Sequence, residues 1–347
     1  MSMFLVAVFV MNKAQRVEAA IKGEAVDRIP FSVWYHLSGV DQDPVSLAET
    51  TAELTKKYDY DFVKMMPFGL YGVQDLGAKV KIFSKQGEPP LWERGPVQRV
   101  EDYLSLTPIP AIQGTYGKQL EFTELLRKQL PGDVPYIQTI FSPLTTLHKL
   151  VGDRVLEDLK TAPEAVRYAL AVITEITIDF INENIKRGVS GFFFATQDAR
   201  KELISLENFR SFGVPYDLQV LESYVNRTWF NVVHLHGMGV YFDEIAQRYP
   251  NNVLNWHDRN TPPTLEEARK ISDKAFLAGI AAADTLVDGK QGRDDIVQDG
   301  TPASIIKHVR EAIAAVDGKK LLIGPGCCVG QFASEENLAA VRRAVEL

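Results

Sequence analysis

Cysteine is scarce in this chain: two occur in 347 residues, and they are adjacent, as Cys327-Cys328. A disulfide framework is thereby excluded, and a reducing cytosol fits best. No Lys/Arg run dominates any segment, and the net charge is -7 with an isoelectric point near 5.5. Those values argue against a broad electrostatic footprint for nucleic acid or anionic lipid. No apolar run reaches bilayer length. The stretch from Met3 to Met11 is too short to span a membrane, and no basic leader precedes it as in a secretory signal. Residues 1–12 read as an apolar extension, either a buried or edge strand or the product of a start codon misassigned upstream of Met11. Internal repeats and low-complexity tracts are also lacking. What remains is a soluble, cytoplasmic chain whose partners are small molecules or proteins.

Hydrophobic residues make up 46% of the sequence, enough for a large core. Eight strand-like runs recur between helical patterns: Ile29 to Trp34, Asp61 to Met66, Pro135 to Ile140, Ser190 to Ala195, Asn231 to His236, Asn252 to Trp256, Lys274 to Gly279 and Lys320 to Gly324. Between them, Pro163 to Arg187 reads as a helix opened by proline and stopped by Gly188. Thr264-Leu265-Glu266-Glu267 reads as a capping box opening a helix through Ile271. Ser334-Glu335-Glu336 opens a last helix to Leu347, with its acids in the first turn. Alternation of this kind predicts a (β/α)8 TIM barrel over residues 13–347 as a single domain. The connection from Pro67 to Val134 exceeds a simple crossover and carries an alternating run, Val80 to Ser84, beside Gly87-Glu88-Pro89-Pro90. It predicts an inserted hairpin or lid after the second strand.

In such a barrel the reactive groups gather where strands end. Four of the six histidines fall there: His36, His234, His236 and His257. Strand alternation puts His234 and His236 on one face and Leu235 on the other. With Cys327 in the turn Gly324-Pro325-Gly326-Cys327, they are two imidazoles and a thiolate, donors suited to Zn2+ with a fourth position open to substrate or water. The competing readings are a pair of core imidazoles bonded to backbone carbonyls and a buried, inert thiol. Cys328 points elsewhere. His257 and Asp258 are candidates to orient a ligand or substrate, since a carboxylate commonly fixes a liganding imidazole, although a surface turn toward Pro262-Pro263 would read the same way. Gln197, Asp198 and Arg200, together with His36, are candidates to hold a polar or carboxylate-bearing substrate. His148 and His308 fall in helical segments, as solvated or packed residues.

Taken in order, several stretches resemble the uroporphyrinogen decarboxylase superfamily, from about Lys13 to the C-terminus. They are Arg28-Ile29-Pro30-Phe31-Ser32-Val33-Trp34, Asp61-Phe62-Val63-Lys64, Gly191 to Gln197, His234-Leu235-His236-Gly237, Trp256-His257-Asp258, and Gly326-Cys327 followed by Glu336-Asn337-Leu338. Within the superfamily the chain is similar to the zinc methyltransferases that demethylate methyl-corrinoid proteins. The decarboxylases of haem synthesis carry an arginine-rich first loop and an aspartate soon after the second strand. This chain has Tyr35-His36-Leu37-Ser38-Gly39 and Met66-Pro67-Phe68-Gly69 at those places. A substrate ringed with carboxylates needs guanidinium partners, because each unpaired buried anion costs several kcal/mol. The methyltransferase branch has a His-x-Cys pair and a later cysteine; here His236 stands in place of the middle cysteine. That exchange makes the ion harder and removes one thiolate charge, so it predicts weaker zinc or a different acceptor.

The resemblance implies a methyl-corrinoid delivered by a partner protein and a thiol or related acceptor ionised at the metal. Oligomeric state stays open between monomer and homodimer. A second reading is a carboxy-lyase acting on uroporphyrinogen or a related acid, with Arg200, Lys201 and Arg259 gripping the anion. A third is a non-catalytic corrinoid or tetrapyrrole binding protein. Stoichiometric zinc separates the first from the other two.

Overall fold

The computed structural model describes residues 10–83, 85–88, 90–282 and 295–346. Residues 1–9 of the expected apolar extension lie outside them, as do Ser84 and Pro89 of the expected insertion and Leu347.

Seven parallel strands form one curled sheet: β1 (Val63–Lys64), β4 (Tyr136–Phe141), β5 (Gly191–Thr196), β6 (Val232–Leu235), β7 (Val253–Trp256), β8 (Ala275–Ile280) and β9 (Leu321–Pro325), neighbours in that order. Two more strands, β2 (Lys79–Lys81) and β3 (Leu91–Arg94), pair antiparallel as a separate hairpin within the long connection after β1. Helices follow the parallel strands as crossovers, for example Pro163–Lys186, which leads into β5. It stops where expected: Gly188 adopts φ 84°, a conformation glycine takes without a Cβ clash. The capping box at Thr264 is also present, with Glu267 N–H donating to Thr264 Oγ1 at 3.3 Å and Thr264 N–H to Glu267 at 2.8 Å. The last helix, Glu335–Ala344, ends short of Leu347.

Two of the eight expected strands shrink, for a physical reason. The run at Ile29 to Trp34 survives as a single parallel bridge, Phe31 to Ile323. Pro30 has no N–H to donate, and the Phe31 N–H goes to the Asp61 carboxylate at 3.0 Å. That carboxylate also receives Arg16 Nη1 at 2.7 Å and Arg28. Side-chain partners thus replace the regular ladder where β1 meets the segment before it. The segment still bonds on both sides. Ser32 N–H donates to Ile323 O at 3.0 Å, Ile323 N–H to Pro30 O at 2.8 Å, and Asp61 N–H to Phe31 O at 2.9 Å.

Strand alternation sorts the core into two apolar sets. Phe62, Ile137, Phe193, Ala195, Val232, Val253, Leu277 and Leu322 cluster on the inner face of the curled sheet. A larger set packs the other face against the helices, including Phe192, Phe194, Val233, Leu235, Leu254 and Trp256. His234 shares the inward parity of Val232, with Ala195 on one side and Asn255 on the other in register. Among the described residues no helix is long and apolar enough to cross a membrane.

Candidate metal centre

His234, His236, His257 and Cys327 meet at the C-terminal ends of β6, β7 and β9. One potential donor atom from each lies within 4.8 Å of the others. Bonds of about 2.05 Å to nitrogen and 2.3 Å to sulfur at the tetrahedral angle place neighbouring donors about 3.3–3.8 Å apart. Cys327 Sγ lies 3.6 Å from His236 Nδ1, so that edge already has the length a zinc site requires. His236 and His257 pack edge to face with ring centroids 5.4 Å apart, as do His234 and His236 with centroids 5.6 Å apart.

The β6 and β7 strands orient the innermost ring. His234 Nδ1 is 2.5 Å from Asn255 Oδ1, while Asn255 Nδ2 donates to the carbonyls of Leu277 at 2.6 Å and Pro325 at 3.0 Å. Those two carbonyls can only accept, so they fix the amide with its oxygen toward the ring. His234 must then donate from Nδ1, which leaves Nε2 as a lone-pair donor. Burial lowers the His234 pKa well below the ordinary value, and His236 and His257 push it the same way. A neutral imidazole with a defined tautomer is the form that binds a metal. Phe193 stacks on this ring at 5.2 Å between centroids.

The Cys327 turn reaches the histidines because Gly326 has no side chain. A Cβ there would lie 2.8 Å from both His257 Cα and Trp256 O. The turn is tied back by Gly326 N–H donating to Ile280 O at 3.0 Å.

Three of these donors, His234, His236 and Cys327, border a cavity of about 610 Å3 lined also by Cys328, His36, Gln197, Asp198 and Arg200. The four substrate candidates from the sequence thus share one chamber with the metal candidates. Asp198 is buried and accepts from Thr145 Oγ1 at 2.7 Å. Arg200 presents a buried Nε without a hydrogen-bond partner among the described residues. Asp258 behaves differently. It is buried, its Oδ1 accepts from Gly279 N–H at 3.1 Å, and burial pushes its pKa up to about 7. It holds the loop after β7 against β8 and does not line the cavity.

Several cavity residues escaped the sequence reading. Cys328, expected to point elsewhere, lines the same chamber. Its hydrogen bond with Cys327, opposed by burial and reinforced by His36, holds its thiol well below the usual range. His148, read as solvated or packed, also lines the chamber and bridges Asp198 at 2.5 Å and Asp153 at 3.0 Å. Burial would lower its pKa, but the Asp198 contact prevails and raises it. Lys64 and Lys149 border the cavity too. A lysine inside the apolar run Phe62-Val63-Lys64-Met65 was the available sequence signal for the first. Asn255, two residues before His257 and therefore of the same strand parity, was the signal for the ring's anchor.

A curled parallel α/β sheet with N and S donors gathered at its strand ends defines the class: an α/β protein with a candidate metal site at the position where barrel-type enzymes carry out their chemistry. The chain belongs to the uroporphyrinogen decarboxylase (URO-D) family, whose model matches residues 12–347. It is 20% identical over 336 residues to the methylcobamide:CoM methyltransferase MtbA of Methanosarcina acetivorans, covering 93% of this chain and 94% of that protein. It is 22% identical over 244 residues to a uroporphyrinogen decarboxylase of Aeromonas salmonicida, covering 67% of this chain and 66% of that one. Among solved structures, a methyltransferase from Methanosarcina mazei superposes with a TM-score of 0.80 at 18% identity, covering 96% of this chain and 98% of the other. That likeness establishes the fold.

Proposed function

We propose that this chain is a zinc-dependent methyltransferase that moves a methyl group from a methyl-corrinoid, carried by a partner protein, to a small thiol or related acceptor. The observation that carries the reading is the convergence of three imidazoles and one thiol, of which His234, His236 and Cys327 line a large cavity. Similarity along nearly the whole chain to a methylcobamide:CoM methyltransferase supports it.

His234, His236 and Cys327 would hold the ion, with His257 as the fourth donor at rest and the one that would give way to the acceptor thiol, since a catalytic zinc keeps one position for substrate. Bound zinc would supply the Lewis acidity that keeps an acceptor thiol ionised near neutral pH. Asn255 holds the His234 tautomer, and Asp258 positions the loop that carries His257. His36, Gln197, Asp198 and Arg200 would contact the substrates. In the transfer, the acceptor sulfur bonds to the methyl carbon as the cobalt–carbon bond breaks and its electron pair stays on cobalt. The thiol proton leaves to solvent.

The architectural part of the proposal is an eight-stave barrel over residues 13–347. Hydrogen bonds from residues 30–32 to Ile323 on one side and Asp61 on the other support a closing stave. The β2–β3 hairpin would cover the mouth: Trp92 lines the cavity, and Gln86 Nε2 donates to Gln331 O at 2.9 Å. Cytoplasmic placement suits two cysteines at the site that are not joined in a disulfide.

The carboxy-lyase reading is weaker in its anion grips. Arg200 lines the cavity, but Lys201 is exposed, and Arg259 donates to the His308 carbonyl at 2.6 Å. The test is to incubate the zinc-loaded chain with methylcobalamin and a thiol, following loss of the cobalt–methyl absorbance and formation of the thioether. Transfer that depends on zinc is expected. Decarboxylation of uroporphyrinogen without methyl transfer would replace the proposal with the lyase.

A further inference from the structure

Metal binding and methyl transfer use one cysteine of an adjacent pair and leave the other without a role. Cys327 and Cys328 are the two cysteines of the whole chain, and they are not joined in a disulfide. Both are half-buried and line the chamber of about 610 Å3. Cys327 Sγ lies 3.6 Å from His236 Nδ1, among the metal donors. Cys328 stands outside that donor group, but its thiol shares one hydrogen bond with Cys327 and another with His36. The pair belongs to neither a helix nor a strand, since β9 ends at Pro325. Backbone bonds anchor the turn on either side: Gly326 N–H donates to Ile280 O at 3.0 Å, and Val329 N–H donates to Trp34 O at 3.1 Å.

Thiol–disulfide exchange needs a first thiol that an oxidant can reach and a second one close enough to displace the product. Two hydrogen-bonded thiols facing one open cavity meet both requirements. A disulfide between sequence neighbours closes a small ring. Their Cα atoms lie about 3.8 Å apart across a trans peptide, below the roughly 4.4–6.8 Å that disulfides prefer. Such a bond is strained and easily reduced, which suits a reversible modification and not a permanent staple. We propose that Cys327 and Cys328 form a redox modification site, a vicinal dithiol that low-molecular-weight disulfides oxidise to an internal disulfide. The Cys328 thiol attacks one sulfur of the oxidant RS–SR, forming a mixed disulfide, and its proton leaves with the first RSH. Cys327 then comes off the ion and bonds to the Cys328 sulfur, expelling the second RS group as a thiolate that takes a proton from solvent. Two electrons pass from the pair to the oxidant. A sulfur held in a disulfide has no thiolate to offer a cation, so three imidazoles remain and the ion is held more weakly. That consequence rests on the zinc methyl-transfer reading; the dithiol rests on the geometry of the turn.

The test uses the full-length chain, reduced and then exposed to 2-hydroxyethyl disulfide. The tryptic peptide from Leu321 to Arg342 contains both cysteines, and its mass reports the product. Loss of two hydrogen atoms with no added RS group is expected, reversed by dithiothreitol. Zinc affinity, measured by chelator competition, should fall at least tenfold in the oxidised chain and recover on reduction. Cys328→Ser should bind zinc as the parent does when reduced, and should lose it at least tenfold more slowly under the oxidant. A persistent oxidant adduct on either cysteine of the parent, with no internal disulfide, overturns the proposal. Zinc release as fast in Cys328→Ser as in the parent does the same. An internal disulfide in a chain that binds no zinc upholds the modification site and counts against the metal reading. A chain that binds zinc and transfers methyl groups yet never forms the disulfide overturns the modification site alone.

Discussion

Asn255→Ala is the substitution that most sharply separates a metal centre from a packed histidine cluster. It removes the acceptor 2.5 Å from His234 Nδ1 and the donor to Leu277 O and Pro325 O, at 2.6 and 3.0 Å. All three bonds are buried, so their loss leaves polar groups unsatisfied and costs about 1–3 kcal/mol of stability. The effect on metal binding is separate. Without the amide oxygen, His234 is no longer held as the Nδ1–H tautomer, and a proton on Nε2 competes with the ion. Loss of a partner of this kind lowers metal affinity about 10–100-fold, or about 1.4–2.7 kcal/mol. Zinc affinity is measured by competition with a chromophoric chelator at neutral pH, and stability by denaturant unfolding of the metal-free chain. Asn255→Asp keeps an acceptor for the ring but sets a carboxylate oxygen against two carbonyls; it should lose stability while retaining zinc. An Asn255→Ala chain that is destabilised yet binds zinc as tightly as the parent would refute the tautomer argument.

Gly326→Ala places a Cβ 2.8 Å from His257 Cα and Trp256 O. We expect the Cys327 turn to move, costing about 1–3 kcal/mol of stability and weakening the thiolate-to-cobalt charge-transfer band of the Co(II)-substituted chain. Asp61→Ala strips the buried carboxylate from Arg16 and Arg28 and should cost about 3–5 kcal/mol in denaturant unfolding; a cost under 1 kcal/mol would show that this ion cluster does not pin the Phe31 segment. Lys149, brought down to about 7 in the folded chain by burial against the ordinary lysine value of 10.5, binds fewer protons folded than unfolded between those values. Stability of the parent should therefore rise with pH through that window, and the lysine's cost is fully present below it. Lys149→Met should raise thermal stability at neutral pH by about 2 kcal/mol after discounting for partial exposure. That gain should fade toward pH 10; a gain independent of pH would contradict the assignment.

Much of the sheet was readable because buried parallel strands leave continuous apolar runs that end in polar turns, as at Val232-Val233-His234-Leu235 and Leu321-Leu322-Ile323. Strand parity placed His234 and His236 together, and the glycine-rich turn at Gly326 marked where a thiol approaches another strand. Periodicity could not show that Asp61 would take the Phe31 N–H, since a side chain replacing a ladder bond has no repeat. Nor could it place Lys149. From sequence its helix looks like any crossover, and only the packing of Pro143–Val151 onto the chamber turns one lysine inward. His257 was legible as a residue near the candidate metal donors, but its distance from them depends on how far the loop after β7 folds back, which Asp258 and Gly279 decide through a contact 21 residues apart.

The central claim is that His234, His236, His257 and Cys327 bind one ion. X-ray absorption at the zinc edge of the washed, full-length chain tests it most directly. One zinc per chain is expected, bound to one sulfur at ~2.3 Å and to nitrogens at ~2.0–2.1 Å, the sulfur disappearing in Cys327→Ser. A chain that retains no zinc, or a shell whose sulfur persists in Cys327→Ser, would contradict it.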